Sequence, residues 1–524
     1  MKSSLSSYTR RDTSILKGFA ILCIVFHNYF HWLAPSPGEN EFDFSPLHVR
    51  NLFQLLGEQP GEFVNILFSF FGHYGVQLFV MLSGFGLVIS MLNRPRSWES
   101  FVLNRLKKLY PLLLTGILVV LLGKLVMDGT LFEPWAKTEF KYKLLLIHTL
   151  IPNSGLSING PWWFFGLIFQ LYLLFPLLFR CMKKWGWKAF WVVCALSYGL
   201  IFLFREGLNL FHGSILMQNA PGHLPEFCFG MMLAFSKGKR IHWGWLLLSL
   251  LLFVWGNFAP GLYPFTFLSI TVIAVFAYNG LKSLPIKKKL ISRPLAYFGG
   301  ISMALFAVHG FFRNPVLHWA NTLTTPLGHL WSGLVFLALS WGIAIAAKAL
   351  YDFICAQLDR IHIRESRATR IIGRVCQVGL CLFFAYVLGY YVAQNYHKCH
   401  HAVTSYDIIE SSSTVSPDKE YTTLAKTTFT QKHQSLRVKM AFDVCSLDTT
   451  APLPSMVLHI DGVLWNQFAI PSEYNTSTFK HYENTVDFQC PFVKSVKDKR
   501  LVLYFWNRNK GTIRFENAEV EILY

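Results

Sequence analysis

Charge is scarce in this sequence: Asp, Glu, Lys and Arg make up only 15% of its 524 residues, while 53% are hydrophobic. Soluble domains carry about 25% charged residues, so a wholly water-exposed fold is excluded. Acidic residues are the rarer sign, 29 against 48 Lys and Arg, which leaves a net charge of +19. That excess sits in short basic clusters between apolar runs, the arrangement expected of cytoplasmic loops and not of a nucleic-acid surface. No nucleic-acid partner is expected. The ten cysteines include no CxxC pair, so no metal is expected. Seven of them (Cys23, Cys181, Cys194, Cys228, Cys355, Cys376 and Cys381) lie in or beside apolar runs, where cysteine behaves as a small hydrophobe. The first apolar run is not followed by a small-residue cleavage site, so a cleavable leader is not expected. No internal repeat is visible.

What the chain has instead is long apolar runs, each near the roughly 20 residues that cross a bilayer. They predict an all-α polytopic membrane bundle of about eleven transmembrane helices, at 13–33, 63–92, 108–128, 162–181, 188–204, 223–236, 243–257, 263–280, 295–312, 329–353 and 374–395. The first ten form a membrane domain over 1–353, and the last is an additional helix. With the N-terminus inside, the inner segments hold 26 Lys and Arg and the outer segments 6. That asymmetry predicts a cytoplasmic N-terminus in the plasma or inner membrane, and an odd number of spans then puts the C-terminus outside.

After a polar stretch, 396–435, that reads as a linker, the texture changes. Residues 436–524 alternate apolar and polar positions in short runs separated by turn residues such as Asp461-Gly462. They predict a small extracytoplasmic all-β sandwich. Trp465 and Trp506 could stack on sugar rings, but the core is the commoner place for strand tryptophans and is expected here, and Cys445 and Cys490 could pair in an oxidising compartment.

Chemistry is sought where ionisable residues enter the membrane, because burying them is costly. In the first span Lys17 and His27 are ten residues apart, about 15 Å along a helix, so Lys17 lies at the inner surface and His27 well into the bilayer. Imidazole suits proton transfer near neutral pH; the alternative is a histidine that hydrogen-bonds between helices. His31 lies one turn further out. Glu226 is a lone carboxylate in an apolar span, able to pair with a base or to orient His27. His309 is as well placed to be interfacial as catalytic. Trp162, Trp163 and Tyr172 read as interface belt and packing. The cluster at Arg105, Lys107 and Lys108 is either inside-positive charge or a site for a phosphorylated ligand.

Five stretches and a late histidine-bearing span resemble, in order, the acyltransferase-3 family of integral membrane acyltransferases. They are Lys17…His27, FVMLSGFGL at 79–87, RLKKLYP at 105–111, GPWWFFGLIFQLYLLFPLL at 160–178, LPEFCFGMMLA at 224–234 and SMALFAVHG at 302–310. The resemblance covers roughly residues 10–350. It implies an acyl-CoA donor (most simply acetyl-CoA) on the cytoplasmic side and a carbohydrate hydroxyl outside as acceptor. It gives His27 the role of base or transient acyl carrier, Glu226 that of the span's acidic residue, and Lys17, Arg105 and Lys108 that of the donor-binding set. Two departures stand out. Lys108 replaces the second arginine of the family's Arg-x-x-Arg, and nine residues separate Lys17 from His27 where ten are usual, a shift of about 100° around the helix. The tail is a further difference, since it has no Gly-Asp-Ser nucleophile motif of the fused hydrolase-like domains.

Two other classes compete. A transporter or flippase of a lipid-linked sugar would also bury polar groups, but the internal repeat common in transporters is missing. A sugar sensor with passive spans leaves His27 and Glu226 unexplained.

Overall fold

The computed structural model describes residues 8–360 except 43, 131, 133, 152–153, 208–213, 237–241 and 284–287, parts of 371–389, and most of 407–523. The chain divides into two compact units, one helical and one built of strands.

Among the described residues the first unit has fifteen α-helices: α1 (Arg10–Phe30), α2 (Pro46–Glu58), α3 (Phe63–Phe71), α4 (Gly75–Asn93), α5 (Trp98–Asp128), α6 (Pro134–Leu144), α7 (Trp163–Trp185), α8 (Trp187–Gly207), α9 (Ser214–Met217), α10 (Ala220–Phe235), α11 (Trp243–Gly256), α12 (Phe265–Ser283), α13 (Lys288–Val308), α14 (Arg313–Ala320) and α15 (Pro326–Arg360). Among the described residues seven helical stretches are long and apolar enough to cross a membrane, at Arg10–Phe30, Pro60–Asn93, Trp98–Asp128, Gly160–Trp185, Phe265–Lys282, Leu290–Val308 and Pro326–Leu358. Two shorter apolar helices lie at Trp187–Phe202 and Trp243–Gly256. The expected span at 223–236 is α10, only 16 residues and buried almost throughout. At 1.5 Å per residue it falls short of a hydrocarbon core of about 30 Å. Most of the expected span 374–395 lies outside the described residues.

Local sequence explains how α1 is held. Thr9 caps it and Asp12 returns the bond in a capping box. The Asp12 carboxylate then accepts from Tyr278 Oη at 2.6 Å and Lys282 Nζ at 3.0 Å, which ties α1 to α12. Alpha-helical packing elsewhere depends on small residues, as in many membrane bundles. In FVMLSGFGL, a Cβ on Gly84 would stand 2.1 Å from the Phe227 carbonyl oxygen, so α4 and α10 cross with their backbones nearly in contact.

The span expected at 63–92 is one helical stretch, Pro60–Asn93, in which a 3-10 turn at Gly72–Tyr74 joins α3 to α4. The connections that follow α1, α5 and α13 also carry structure of their own, in the Ser45-capped α2, in α6 and in α14.

Among the described residues the second unit has nine strands: β1 (Asp407–Ile408), β2 (Ser413–Val415), β3 (Tyr421–Thr428), β4 (Ser435–Ser446), β5 (Ser455–Ile460), β6 (Leu464–Ala469), β7 (Lys480–Gln489), β8 (Arg500–Trp506) and β9 (Ile513–Leu523). They form two antiparallel sheets, ordered β1-β3-β8-β5-β6 and β2-β9-β4-β7. Phe442 of one sheet meets Phe505 of the other at 5.5 Å between ring centroids, in a shared apolar core. Strands begin earlier than expected: β1, β2 and β3 occupy part of the stretch 396–435 read as a linker. Its Ser and Thr residues alternate with buried Val415, Leu424 and Ala425, and that sparse alternation is enough for edge pairing. The two tryptophans are not in the core. Leu501, Leu503 and Phe505 take the inward positions of β8, which turns Trp506 to the outer face, and Trp465 is 50% exposed. Cys490 lies outside the described residues, so its pairing with Cys445 does too.

Candidate functional site

A cavity of about 1230 Å³ opens in the helical unit. Its wall takes His27, His31 and Trp32 from the end of α1, Glu41 from the following loop, Trp163 from the start of α7 and Arg313 from the start of α14. His27 is 7% exposed and lines the cavity together with the apolar Ile24, Val76 and Phe306.

The ring of His27 is fixed by the backbone. Its Nδ1 lies 2.9 Å from the Ser69 carbonyl oxygen. A carbonyl can only accept, so Nδ1 carries the proton and the neutral ring keeps its basic lone pair on Nε2. The contact exists because α3 is pressed onto α1: a Cβ on Gly72 would come within 2.6 Å of the Cys23 carbonyl oxygen and 2.7 Å of the His27 Cβ. The same turn delivers a second histidine. His73 is buried, its ring 5.5 Å from that of His27, and Nε2 is 3.8 Å from Glu39 Oε1. The carboxylate of Glu39 also binds His48 Nδ1 at 2.8 Å and accepts from Tyr263 Oη at 3.3 Å.

Glu226 does not orient His27. The nitrogen it was expected to hold goes to Ser69, and Glu226 Oε1 instead lies 2.6 Å from His223 Nδ1, three residues back on the same helix. His223 Nε2 donates to the Met217 carbonyl at 2.7 Å, and the ring is sandwiched between Trp163 and Phe267. Of the two roles open to this carboxylate, the structure has the pairing with a base. Both partners are completely buried, which makes the pair part of the bundle's interior.

The basic set of the opposite end is not drawn into this cavity. Arg105 Nη2 donates to Ser90 Oγ at 2.9 Å, its Nε is buried without a partner, and its guanidinium lies over the Phe101 ring. Lys17 and Lys108 have no hydrogen-bond or ion-pair partner among the described residues, and Lys108 is exposed. Helices α1 and α5, which carry the three cations, both pack against α13 and α15. The sequence of residues 13–347 matches the profile of the family described as Acyltransferase domain. The chain belongs to the acyltransferase-3 family. It is accordingly a multi-pass membrane protein and an acyltransferase. Nodulation protein 10 of Rhizobium leguminosarum bv. viciae is 22% identical over 368 residues, which is 64% of this chain and 93% of that one. No solved structure matches.

Trp162 and Trp163 show the packing expected of them: Trp162 is wholly buried with Nε1 donating to the Ala307 carbonyl at 2.8 Å, and Trp163 is buried and lines the cavity. His309 is buried, its Nδ1 3.0 Å from the Leu305 carbonyl, and is not among the cavity's lining residues. His73 carried a readable signal, an ionisable residue within an apolar span. Glu41 did not. It stands in the polar run Glu39–Asp43, yet it is 7% exposed, and burial pushes its carboxyl up to about 7. Among the described residues no group of three or more His, Cys, Asp or Glu side chains is placed to hold a metal ion.

Proposed function

We propose that this acyltransferase moves an acetyl group from cytoplasmic acyl-CoA to a hydroxyl of a carbohydrate on the far side of the membrane. The observation that carries the reading is the tautomer of His27: an imidazole in the last turn of α1, with Nδ1–H held by Ser69, keeps its basic lone pair on Nε2, and its ring lines a cavity of about 1230 Å³. The ends of α1 and α5 and the starts of α7 and α14 all border that cavity, and the span alternation assigns those ends to one side. The charge asymmetry supports calling that side extracytoplasmic.

An alcohol is a poor nucleophile while it keeps its proton. His27 Nε2 takes the hydroxyl proton as oxygen attacks the thioester carbonyl. The new C–O bond forms, the C–S bond breaks, and the imidazolium returns the proton to the departing thiolate. General base catalysis of this kind typically contributes about 10²–10⁴-fold. The donor approaches from the other end. Lys17, Arg105 and Lys108 have donors to spare, and the unpartnered Nε of Arg105 fits a phosphate-bearing ligand such as the coenzyme A nucleotide. Its pantetheine arm then covers the roughly 15 Å of helix between the levels of Lys17 and His27.

The test is purified protein in proteoliposomes with acetyl-CoA outside or inside and an oligosaccharide in the other compartment. Release of coenzyme A together with an acetylated glycan across the bilayer supports the reading. Glycan movement without acetylation would assign the protein to transport instead.

A further inference from the structure

The cavity wall contains a cation that base catalysis does not use. Arg313 is the first residue of α14, partly buried, and no carboxylate lies within ion-pair distance of it among the described residues. Its Nη1 donates to the Asn28 carbonyl at 3.2 Å, its guanidinium lies 4.6 Å over the Trp32 ring, and its Nε is buried with no partner. The other cation of the wall, Lys124, is already paired with Asp128 four residues on. Burial lowers the pKa of Arg313 only to about 10, so the charge persists at neutral pH. A guanidinium held off solvent without a counter-charge is costly, and a ligand that brings the counter-charge removes that cost.

We infer that the acceptor itself is anionic: the sugar presenting its hydroxyl to His27 carries a carboxylate or phosphate, which Arg313 binds. This rests on the acyl-transfer reading of the same cavity. Trp32, over whose ring Arg313 lies, follows His27 by five positions and stands just past the end of α1, so the bound charge lies beyond His27 along the chain. Trp32 and Trp163 in the same wall supply flat apolar faces of the kind amphipathic ligands cover. Arginine offers a planar fork that matches either oxyanion, and the start of α14, with no capping side chain, adds the favourable end of a helix dipole.

The test uses the full-length protein with four probes: glucose, glucuronic acid, the methyl ester of glucuronic acid, and glucose 1-phosphate. Binding is read by the fluorescence of the cavity tryptophans, and transfer by coenzyme A release from acetyl-CoA. One or both charged probes should bind about 10–100-fold more tightly than glucose and the ester. Which of them does so separates carboxylate from phosphate. Arg313→Gln should abolish the preference by raising KM for the charged probe far more than it raises KM for glucose, and Arg313→Lys should restore part of it. Equal binding of charged and neutral probes would overturn the inference, as would an equal loss on all four in Arg313→Gln. Arg313-dependent binding without coenzyme A release would leave charge recognition standing and remove acyl transfer. Release on neutral sugars with no advantage for charge would do the reverse.

Discussion

His27 gives its Nδ1 proton to the carbonyl oxygen of Ser69, 42 residues away in sequence and 2.9 Å away in space. One bond therefore decides which ring nitrogen is basic, and it depends on backbone rather than on a carboxylate. The arrangement predicts how substitution should behave. In His27→Asn the side-chain amide can still donate to Ser69, so the fold is kept while the base is lost. Coenzyme A release should fall by about 10²–10⁴-fold, with donor binding little changed. Turnover within about threefold of wild type in a well-folded variant would remove His27 from the chemistry.

Glu226 should behave differently. Its partner is His223, and both side chains are completely buried. Removing one member of a buried pair typically costs about 3–5 kcal/mol. Glu226→Ala should lower thermal stability substantially, and the protein that stays folded should keep more than about a tenth of its turnover. A stable variant with turnover as low as that of His27→Asn would show that the carboxylate reaches the reacting atoms after all.

Arg105 tests the donor end. Its Nη2 is engaged with Ser90, while its buried Nε has no partner. Arg105→Ala should raise the Kd for coenzyme A by about tenfold or more, the scale of one charge-assisted contact. Dephospho-coenzyme A, tried in parallel, reports whether the 3′-phosphate is the group concerned. Unchanged affinity for both would move the donor site elsewhere.

The close approach at Gly72 can be probed directly. An added Cβ would meet the Cys23 carbonyl oxygen at 2.6 Å and the His27 Cβ at 2.7 Å, and neither is the free end of a flexible side chain. Gly72→Ala should push α3 from α1, break the Ser69 contact and reduce turnover at least tenfold while coenzyme A binding persists. A variant with wild-type turnover would mean that His27 does not depend on this packing.

Much of the helical unit was legible because its signal is one-dimensional: apolar length and the sign of the loops between. The β unit was legible for the same reason, through its two-residue period. What escaped notice depends on contacts between distant segments. The 3-10 turn at Gly72–Tyr74 sits in an unbroken apolar run, at the place where Gly72 packs against α1. His27 could be found from its depth, but its partner could not, since a backbone carbonyl leaves no residue type to search for. Glu226 and His223 are three residues apart on one helix, a pairing that spacing alone allows. Trp465 and Trp506 were misplaced because alternation gives two faces without saying which one is covered. Arg313 read as one of the few outer basic residues, and its meaning came only with the cavity.

Glu41 supplies a prediction whose sign can be worked out. Burial, aided by the negative Glu39 and opposed by His223, lifts its carboxyl from 4.5 to about 7. Between those two values the folded protein holds a proton that the unfolded chain has released. Stability then falls as pH rises, because the unfolded state binds fewer protons. The favourable contribution is complete below about 4.5 and is lost as pH passes through about 7. The shift is of the order of 3 kcal/mol at most, at about 1.4 kcal/mol per pKa unit. Glu41→Gln keeps the shape and cannot ionise. Its melting temperature in detergent should match wild type near pH 4.5 and exceed it increasingly towards pH 7.5. Because Glu41 lines the same cavity as His27, the same variant should also flatten any change in acceptor affinity over that interval. A difference in melting temperature between the two proteins that stays constant from pH 4.5 to 7.5 would mean that Glu41 is already ionised in the folded protein at the acid end, and that water reaches it through the cavity.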